Sequence, residues 1–449
     1  MKLFGRKNKK PQRRSVPIKV KARYDAAQTT RDNARHWAMA DGLSADSAAS
    51  ADVRKKLRDR ARYEIANNSY AKGVILTLAN DTIGTGPRLQ VRTKDRQLNK
   101  RIEDAFNKWA CDIKLASKLR TMRMAKCGDG EVFAVLVSNP KVSGPVKLDI
   151  QLIECDRVAE PWHTAGYRVD TPNNVDGISL DQFGNPVGYH VLKAHPGDLT
   201  GLLNGYDYLP SEAVIHWFRS DRPGQHRGVP EITPALGLFA QLRRYTLAVI
   251  AAAESAADFA AVLYTDAPAN GESASVETMD VVELEKRMAT VLPDGWKLGQ
   301  IKAEQPCTSY GDFKKEILNE IARCLNLPYN IAACNSSGYN YASGRLDHQT
   351  YYKSIRVEQG DISNVVLDRL FDAWVNEAML TTEFSVLRHL GVIRHEWFFD
   401  GTEHVDPAKE ARAQKMRLES NTTTLAAEYA KQGRDWESEL TQRAKEKQF

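Results

Sequence analysis

From His216 to Leu263 the chain reads HWFRSDRPGQHRGVPEITPALGLFAQLRRYTLAVIAAAESAADFAAVL, a Gly/Pro/Arg loop that breaks into one long helical stretch. Pro230 and Pro234 fall at or near the first turn, where a missing N–H costs nothing, and no proline follows until Pro268. Thirty residues at about 1.5 Å each make a rod of roughly 45 Å. Ten of the positions from Ala235 to Ala261 are alanine, which favours helix and leaves a thin surface that neighbouring helices can approach closely. A rod like this needs partners, and composition alone is equally consistent with one buried core helix of a large soluble enzyme. Glu254, Ser255 and Asp258 interrupt the apolar run and argue against a membrane span.

The 449 residues are enough for two or three domains and a large core. The net charge of +6 suggests a nucleic-acid partner, but it is unevenly placed: residues 1–23 hold ten Lys/Arg and no acid, which leaves 53 basic against 57 acidic residues in the body. The basicity is therefore a tail. Lacking an apolar core, it reads as a solvated arm and not as a signal peptide or an anchor. Lys7, Lys9, Lys10, Arg13 and Arg14 are its candidates for non-specific contact with DNA or an acidic scaffold. The six cysteines, at 111, 127, 155, 307, 324 and 334, show no short pairing and suit reduced thiols in a cytoplasm.

Along the body, periodicity predicts helix from Ala51 to Asn80, then near Gln97 to Trp109 and Ala116 to Cys127, the last ending at Gly128. Strand patterns follow at EVFAVLV, KLDIQLIE, PVGYHVLKA and AVIHWF, so the N-terminal half is an α+β layout. After the rod, residues 264–310 are rich in Pro, Gly and Ser, with a helical piece around Val281 to Met288 and a strand at WKLGQIKA. Helix resumes at Asp312, a suitable cap, with Phe313, Ile317, Ile321 and Leu325 on one face. A polar run, PYNIAACNSSGYNYASGR, precedes a helical pattern to about Met379. The C-terminal helices are signposted by Asp406-Pro407, by Asn421 or Thr422, by Gly433 and by Asp435.

No recognisable catalytic constellation emerges. His395-Glu396 is followed by Trp397, Phe398 and Phe399 where a zinc protease needs a second histidine; no Gly-Lys-Ser/Thr loop, Gly-x-Ser-x-Gly elbow or metal-spaced cysteine set occurs. Gly84-Thr85-Gly86 and Gly128-Asp129-Gly130 each lack the third glycine of a dinucleotide fingerprint and read as turns. These absences favour a non-enzymatic protein with no cofactor and no metal. Two alternatives stand beside that reading: a nucleic-acid-binding protein acting through the basic arm, and a hydrolase with an unrecognised, distributed site.

Taken in order, RARYEIANNSYAKGVILTLANDTIGTG, DQFGNPVGYHV, WFRSDRPGQHRGVPEITPAL, SSGYNYASGR and VDPAKEARAQKMRLESNTTTLAAEYAKQGRDWE are similar to stretches of the lambda-type portal proteins of tailed bacteriophages. The resemblance implies a ring of identical subunits, usually dodecameric in the assembled particle, at one capsid vertex of the virion. Duplex DNA passes its tunnel without sequence readout, and the subunits assemble in the host cytoplasm. It implies as partners the terminase large subunit, head-completion or adaptor proteins, the major capsid protein and its scaffold, with ATP hydrolysis left to the terminase. It also implies an α+β portal-type subunit. Its parts would be a basic arm at 1–24, a mixed wing at 25–230, a stem helix at 231–263, a small clip at 264–311, a second stem helix at 312–327, a tunnel loop at 328–345, a long helix completing the wing at 346–400 and a helical crown at 401–449. On that scheme Ala248, Ala252, Ala256 and Phe259 pack between subunits, and Asn330, Asn335, Ser337, Tyr339, Asn340, Tyr341, Ser343 and Arg345 touch DNA in the tunnel. The RPGQHRGVP loop becomes the hinge from wing to stem.

Overall fold

The computed structural model describes residues 31, 34–160, 174–198, 205–258, 262–265, 296–299, 309–389, 391–401 and 406–448. The chain opens with helices α1 (Ala45–Ala48), α2 (Ala51–Asn67) and α3 (Ser69–Ile83), strand β1 (Arg88–Val91), and helices α4 (Arg96–Asp112) and α5 (Leu115–Asp129). The helix expected from Ala51 to Asn80 is thus two helices. Asn68 divides them: its backbone is extended, and its side chain accepts from the N–H groups of Tyr70 and Ala71, which starts α3 anew. Helix α5 stops at Gly130, whose left-handed φ of 94° supplies the turn into the first central strand.

The sheets follow as β2 (Glu131–Ser138), β3 (Leu148–Ile153), β4 (Asn174–Val175), β5 (Ile178–Leu180), β6 (Pro186–Leu192), β7 (Tyr206–Pro210) and β8 (Val214–Phe218). They form two antiparallel sheets, ordered β3-β2-β8 and β4-β5-β6-β7. Strand β2 is central in the first and is buried on both faces over most of its length. Its residues Phe133 and Val135 pack with Ile178, Tyr189 and Val191 of the second sheet, while Val132 and Ala134 face a core shared with α4 and α5. Because residues alternate across a strand, one strand serves both cores.

Helix α6 (Leu236–Asp258) enters through a 3-10 turn at Thr233–Ala235 that carries Pro234. The helix expected over 231–263 is shorter at both ends: its N-terminal residues form that turn, and Val262–Thr265 form strand β9, paired antiparallel with β10 (Trp296–Gly299). Then come α7 (Ser309–Arg323), α8 (Tyr329–Ala332) and α9 (Tyr341–Ile362). Helix α7 begins before Asp312, which lies in its first turn and is not the cap, and it ends ahead of the expected boundary at 327. Leu318, Ile321 and Ala322 form its buried face; Phe313 is exposed at its outer edge, against Tyr245 of α6. A π-helical turn at Ser363–Leu367 joins α9 directly to α10 (Asp368–Ala378). Strand β11 (His395–Phe398) returns to pair with β1, bringing the chain's last third back to its first.

The C-terminal helices are α11 (Pro407–Glu419), α12 (Leu425–Lys431) and α13 (Trp436–Glu446). Asp406 and Asp435 cap α11 and α13 as their positions predicted, whereas Thr424, not Asn421 or Thr422, caps α12. The group is tied to the body by hydrogen bonds: Arg88 Nη1 donates to the Gly433 carbonyl at 2.6 Å, and Gln90 Nε2 to Asp435 at 2.8 Å. Among the described residues, no helix is long and apolar enough to cross a membrane. The expected helix near 281–288 lies outside the described residues, as do the arm and Phe259; for Ala256 only the backbone is described, within α6.

Candidate functional site

The RPGQHRGVPE segment divides into an exposed half and a buried half. Ser220 to Gly224 are solvated, while Arg227 to Ile232 are buried but for Pro230's neighbour Val229 at intermediate exposure. Arg227 is the centre of the buried half. Its guanidinium grips Glu131 at the start of β2 with Nη2 to Oε1 at 2.7 Å and Nε to Oε2 at 2.9 Å, a fork-on-carboxylate pair. It also donates to the carbonyls of Val158 (3.0 Å) and Cys155 (3.3 Å), and stands over the Phe133 ring with Cζ 5.4 Å from the centroid. The Gly228 N–H donates to the same carboxylate at 3.0 Å, and His216 Nε2 lies 3.0 Å from it.

Electrostatics assign the protons in this cluster. Burial pushes the Glu131 carboxyl up, but Arg227 and the His216 hydrogen bond outweigh it and hold the group well below its usual range. Burial, aided by the nearby Arg227 and Arg54 charges, outweighs Glu131 at His216 and holds the imidazole below its ordinary value. The pair is therefore carboxylate with neutral imidazole, and His216 donates its Nε2 proton. Arg54 and Asp176 extend the cluster, and Arg58 and Arg62 reach Asp156 at 3.0 and 2.7 Å, linking α2 to it.

Four residues on, Glu231 repeats the device against the helices. Arg123 Nη1 of α5 donates to its Oε2 at 3.0 Å, and the Glu231 N–H donates to the Cys127 carbonyl at 2.9 Å. Arg123 and Lys126 both meet Glu358 of α9, at 3.3 and 2.5 Å, and Trp217 Nε1 donates to Asp361 at 2.7 Å. The sheet, α5, the root of α6 and α9 are thereby joined through buried ion pairs. The segment expected as a hinge is a clamp in its second half. Arg227 and Glu231 could be suspected from the quoted segment, but Glu131, His216, Arg123 and Glu358 carry no local sequence signal, being ordinary residues of strands and helices.

The expected tunnel loop is not one loop. Residues 328–345 hold α8, an exposed run at 334–338 and the first turn of α9. Asn330 does not face solvent: it is 8% exposed, and its Nδ2 lies 2.9 Å from His348 Nε2, so it fastens α8 to α9 and is withdrawn as a DNA contact. Asn335 accepts from the Ser337 N–H at 2.9 Å, and Asn340 caps α9 by accepting from the Ser343 N–H at 2.9 Å. Tyr339 is half-buried; Ser337, Ser343 and Arg345 are exposed; Tyr341 opens α9.

Among the described residues, α6 is fully buried only near its start, at Leu236, Phe239 and Leu242. Beyond them Leu247 and Ile250 are 60% and 48% exposed, Ala248 is exposed and Ala252 half-buried. Among the described residues one cluster has metal-ligand character, Glu154, Asp156 and His195, with ligand atoms within 4.8 Å of one another. Arg58 and Arg62 already occupy both Asp156 oxygens there, so the arrangement is an ion-pair network.

The sequence profile of the family described as phage portal protein, lambda family, matches residues 30–359, which include Arg227 and Glu231, helices α6 and α7 and most of α9. The chain belongs to that family. Its relatives include the probable portal protein of Halomonas phage phiHAP-1, 27% identical over 84% of this chain and 77% of that protein. Portal protein B of Escherichia phage lambda is 20% identical over 86% of this chain and 82% of the relative. The fold is similar to that of a chain in the neck of an empty gene transfer agent particle computed with C6 symmetry (TM-score 0.52, 12% identity, 88% of this chain and 99% of that one). As a phage portal protein it is a structural component of the virion, at the portal vertex of the capsid.

Proposed function

We propose that this portal protein works as a homo-oligomeric ring, dodecameric in the assembled particle, whose tunnel passes double-stranded DNA inward during packaging and outward during ejection. The observation that carries the reading is α6. A helix that leaves its own core after Leu242 and exposes Leu247 and Ile250 needs a surface supplied from outside the subunit. In a ring, the next copy supplies it. Residues 25–230 with 346–400 form the wing, α6 and α7 the stem, the β9–β10 region the clip facing the terminase large subunit and later the head-completion proteins, and 401–449 the crown. Capsid protein and scaffold meet the outer rim as the ring nucleates assembly. The chain acts without catalysis of its own and without metal or cofactor; a conduit needs fixed geometry, and hydrolysis belongs to its motor partner.

Mass photometry of the purified full chain tests the ring directly. Only compact monomers, with and without scaffold or capsid protein, would sink the reading. The stem assignment has its own test in Ala248→Leu with Ala252→Leu. Added methylenes at a packed interface cost about 1–3 kcal/mol per site, whereas Ala248 is exposed within the subunit. The expected result is rings that dissociate at lower dilution while subunit melting stays near that of the parent; unchanged ring stability would place this face outside the interface.

The tunnel segment is tested by deleting residues 335–338. That deletion spares Asn340 and its cap on α9, which a cut through 337–344 would destroy. Rings are expected to form normally while packaged DNA is retained less well, since the exposed run narrows the tunnel. A full packaging yield from the deleted rings would count against the assignment.

A further inference from the structure

We propose that this chain closes an internal isopeptide bond between the Lys126 amine of α5 and the Asp361 carboxyl of α9, with Glu358 carrying the protons. The proposal does not depend on the ring reading. Lysine is almost never fully buried, and among the described residues Lys126 is the one buried lysine, at 1% exposed. Its Nζ lies 2.5 Å from Glu358 Oε1, 3.3 Å from Asp361 Oδ2 and 4.5 Å from the centroid of the Trp217 ring. Trp217 is itself fully buried, and its Nε1 donates to the same Asp361 oxygen at 2.7 Å. Arg123 has Glu231 for a carboxylate of its own at 3.0 Å, so Lys126 is left with two. A nucleophile, a carboxyl to attack, a second carboxylate to take protons and an N–H donor on the future amide oxygen thus meet at one point.

The step balances without a co-reactant. Glu358 takes two protons in turn from Nζ and passes both to Asp361 Oδ1. The Nζ lone pair forms the bond to Cγ, and the Cγ–Oδ1 bond breaks as water leaves. Oδ2 becomes the amide oxygen, and the indole N–H meets the negative charge that builds on it while the carbon is tetrahedral. One ammonium and one carboxylate disappear from a buried place where charge is costly. Holding the amine against the carboxyl replaces an encounter in solution, and well-oriented intramolecular reactions reach effective molarities of about 10⁵–10⁸ M. Asp361 keeps 40% of its side-chain surface exposed, which gives the water a way out. Gly360 beside it has open space around it, and the helix passes into a π turn at Ser363, so the backbone has room to draw the carboxyl in. The event occurs once per chain and turns over no substrate. The bond spans 235 positions and encloses both central sheets, α6 and α7, so it restricts the unfolded chain.

Mass spectrometry of the purified full chain tests the bond. A tryptic digest is expected to yield residues 124–141 joined to residues 357–369 through Lys126 and Asp361, one water lighter than the two peptides together. D361A should abolish the joined peptide. E358Q should slow its formation at least about 100-fold, the lower end of what a positioned proton acceptor supplies. Lys118 is the internal control: it meets Asp149 and the Ile150 carbonyl, with no second carboxylate among the described residues, and should stay unlinked. A parent digest with no joined peptide, a result that needs no variant to fold, overturns the proposal and leaves Lys126 in an ordinary ion pair. Joining at Lys118 in equal yield would show that proximity alone suffices, and undiminished joining in E358Q would remove Glu358 from the step; either result overturns the proposal as well.

Discussion

Replacing Arg227 with methionine is expected to lower the stability of the fold by about 3–5 kcal/mol, the range for removing one partner of a buried ion pair. Methionine nearly fills the space, so the loss is electrostatic more than steric. Glu131, with no exposed side-chain surface, would keep its charge in a site left with one Gly228 N–H, a neutral His216 and Arg58 at 3.9 Å. The carbonyls of Val158 and Cys155 would each lose the bond from Arg227 at the same time, though Cys155 keeps the Val158 N–H at 3.2 Å. Thermal unfolding at fixed subunit concentration reads the effect. The double variant R227M/E131L should recover part of the loss, because it removes the stranded charge together with its partner. If the single variant melts with the parent, the pair is not holding the sheet to the segment that leads into α6.

The same cluster sets a pH dependence. Glu131 and His216 both have folded pKa values below their ordinary ones, 4.5 and 6.5. Below each ordinary value the unfolded chain therefore binds more protons than the folded one, and stability falls as pH falls. The loss is expected to begin as pH drops through about 6.5 on account of His216 and to steepen below 4.5 as Glu131 joins. H216N, which preserves a donor without the titration, should flatten the first part of the curve; an unchanged curve would assign it to other groups.

How much of this is legible in the chain depends on where the cause lies. Helix starts at Asp406 and Asp435, and the alternation in β2 and β3, rest on local chemistry and can be read directly from the residues. The break at Asn68 escapes periodicity because an asparagine inside a helical period signals only weakly, and its role emerges when its side chain caps the next helix. The rod comes out too long from sequence because alanine continues to favour helix past Asp258, whereas pairing with residues 296–299 pulls 262–265 into a strand. Propensity loses there to a partner distant in sequence. The polar run at 328–345 misleads in the opposite sense: Asn and Ser suggest loop, yet Asn330 is polar because it bridges two helices and Asn340 because it caps one. The clamp is half legible, through Arg227 and Glu231; the residues they hold lie on four other elements, and no spacing announces them.

The second large effect concerns the glycines that let the clamp close. Gly228→Ala would place a Cβ 2.1 Å from the Gly130 carbonyl oxygen and 2.8 Å from the Glu131 Cβ, and Gly130→Ala a Cβ 2.4 Å from the Val229 carbonyl carbon. The nearest obstacle in each case is backbone, so neither can be cleared by turning a side chain. Gly130 also holds φ at +94°, outside what an L side chain adopts comfortably. Strain of about 1–3 kcal/mol for the backbone and a similar amount for the overlap put Gly130→Ala near ~4 kcal/mol, with Gly228→Ala somewhat less. Gly224, in the exposed half of the same segment, has φ +75° but open space around it, so Gly224→Ala should cost only about 1–2 kcal/mol. The three variants, compared by thermal unfolding, separate two causes that a glycine-rich motif confuses. A large loss at 130 and 228 with a small one at 224 means the segment needs close approach of two chain strands at the start of β2. Equal losses at all three would mean that backbone freedom alone is required, and that the RGVP stretch flexes where its buried ion pairs argue that it holds.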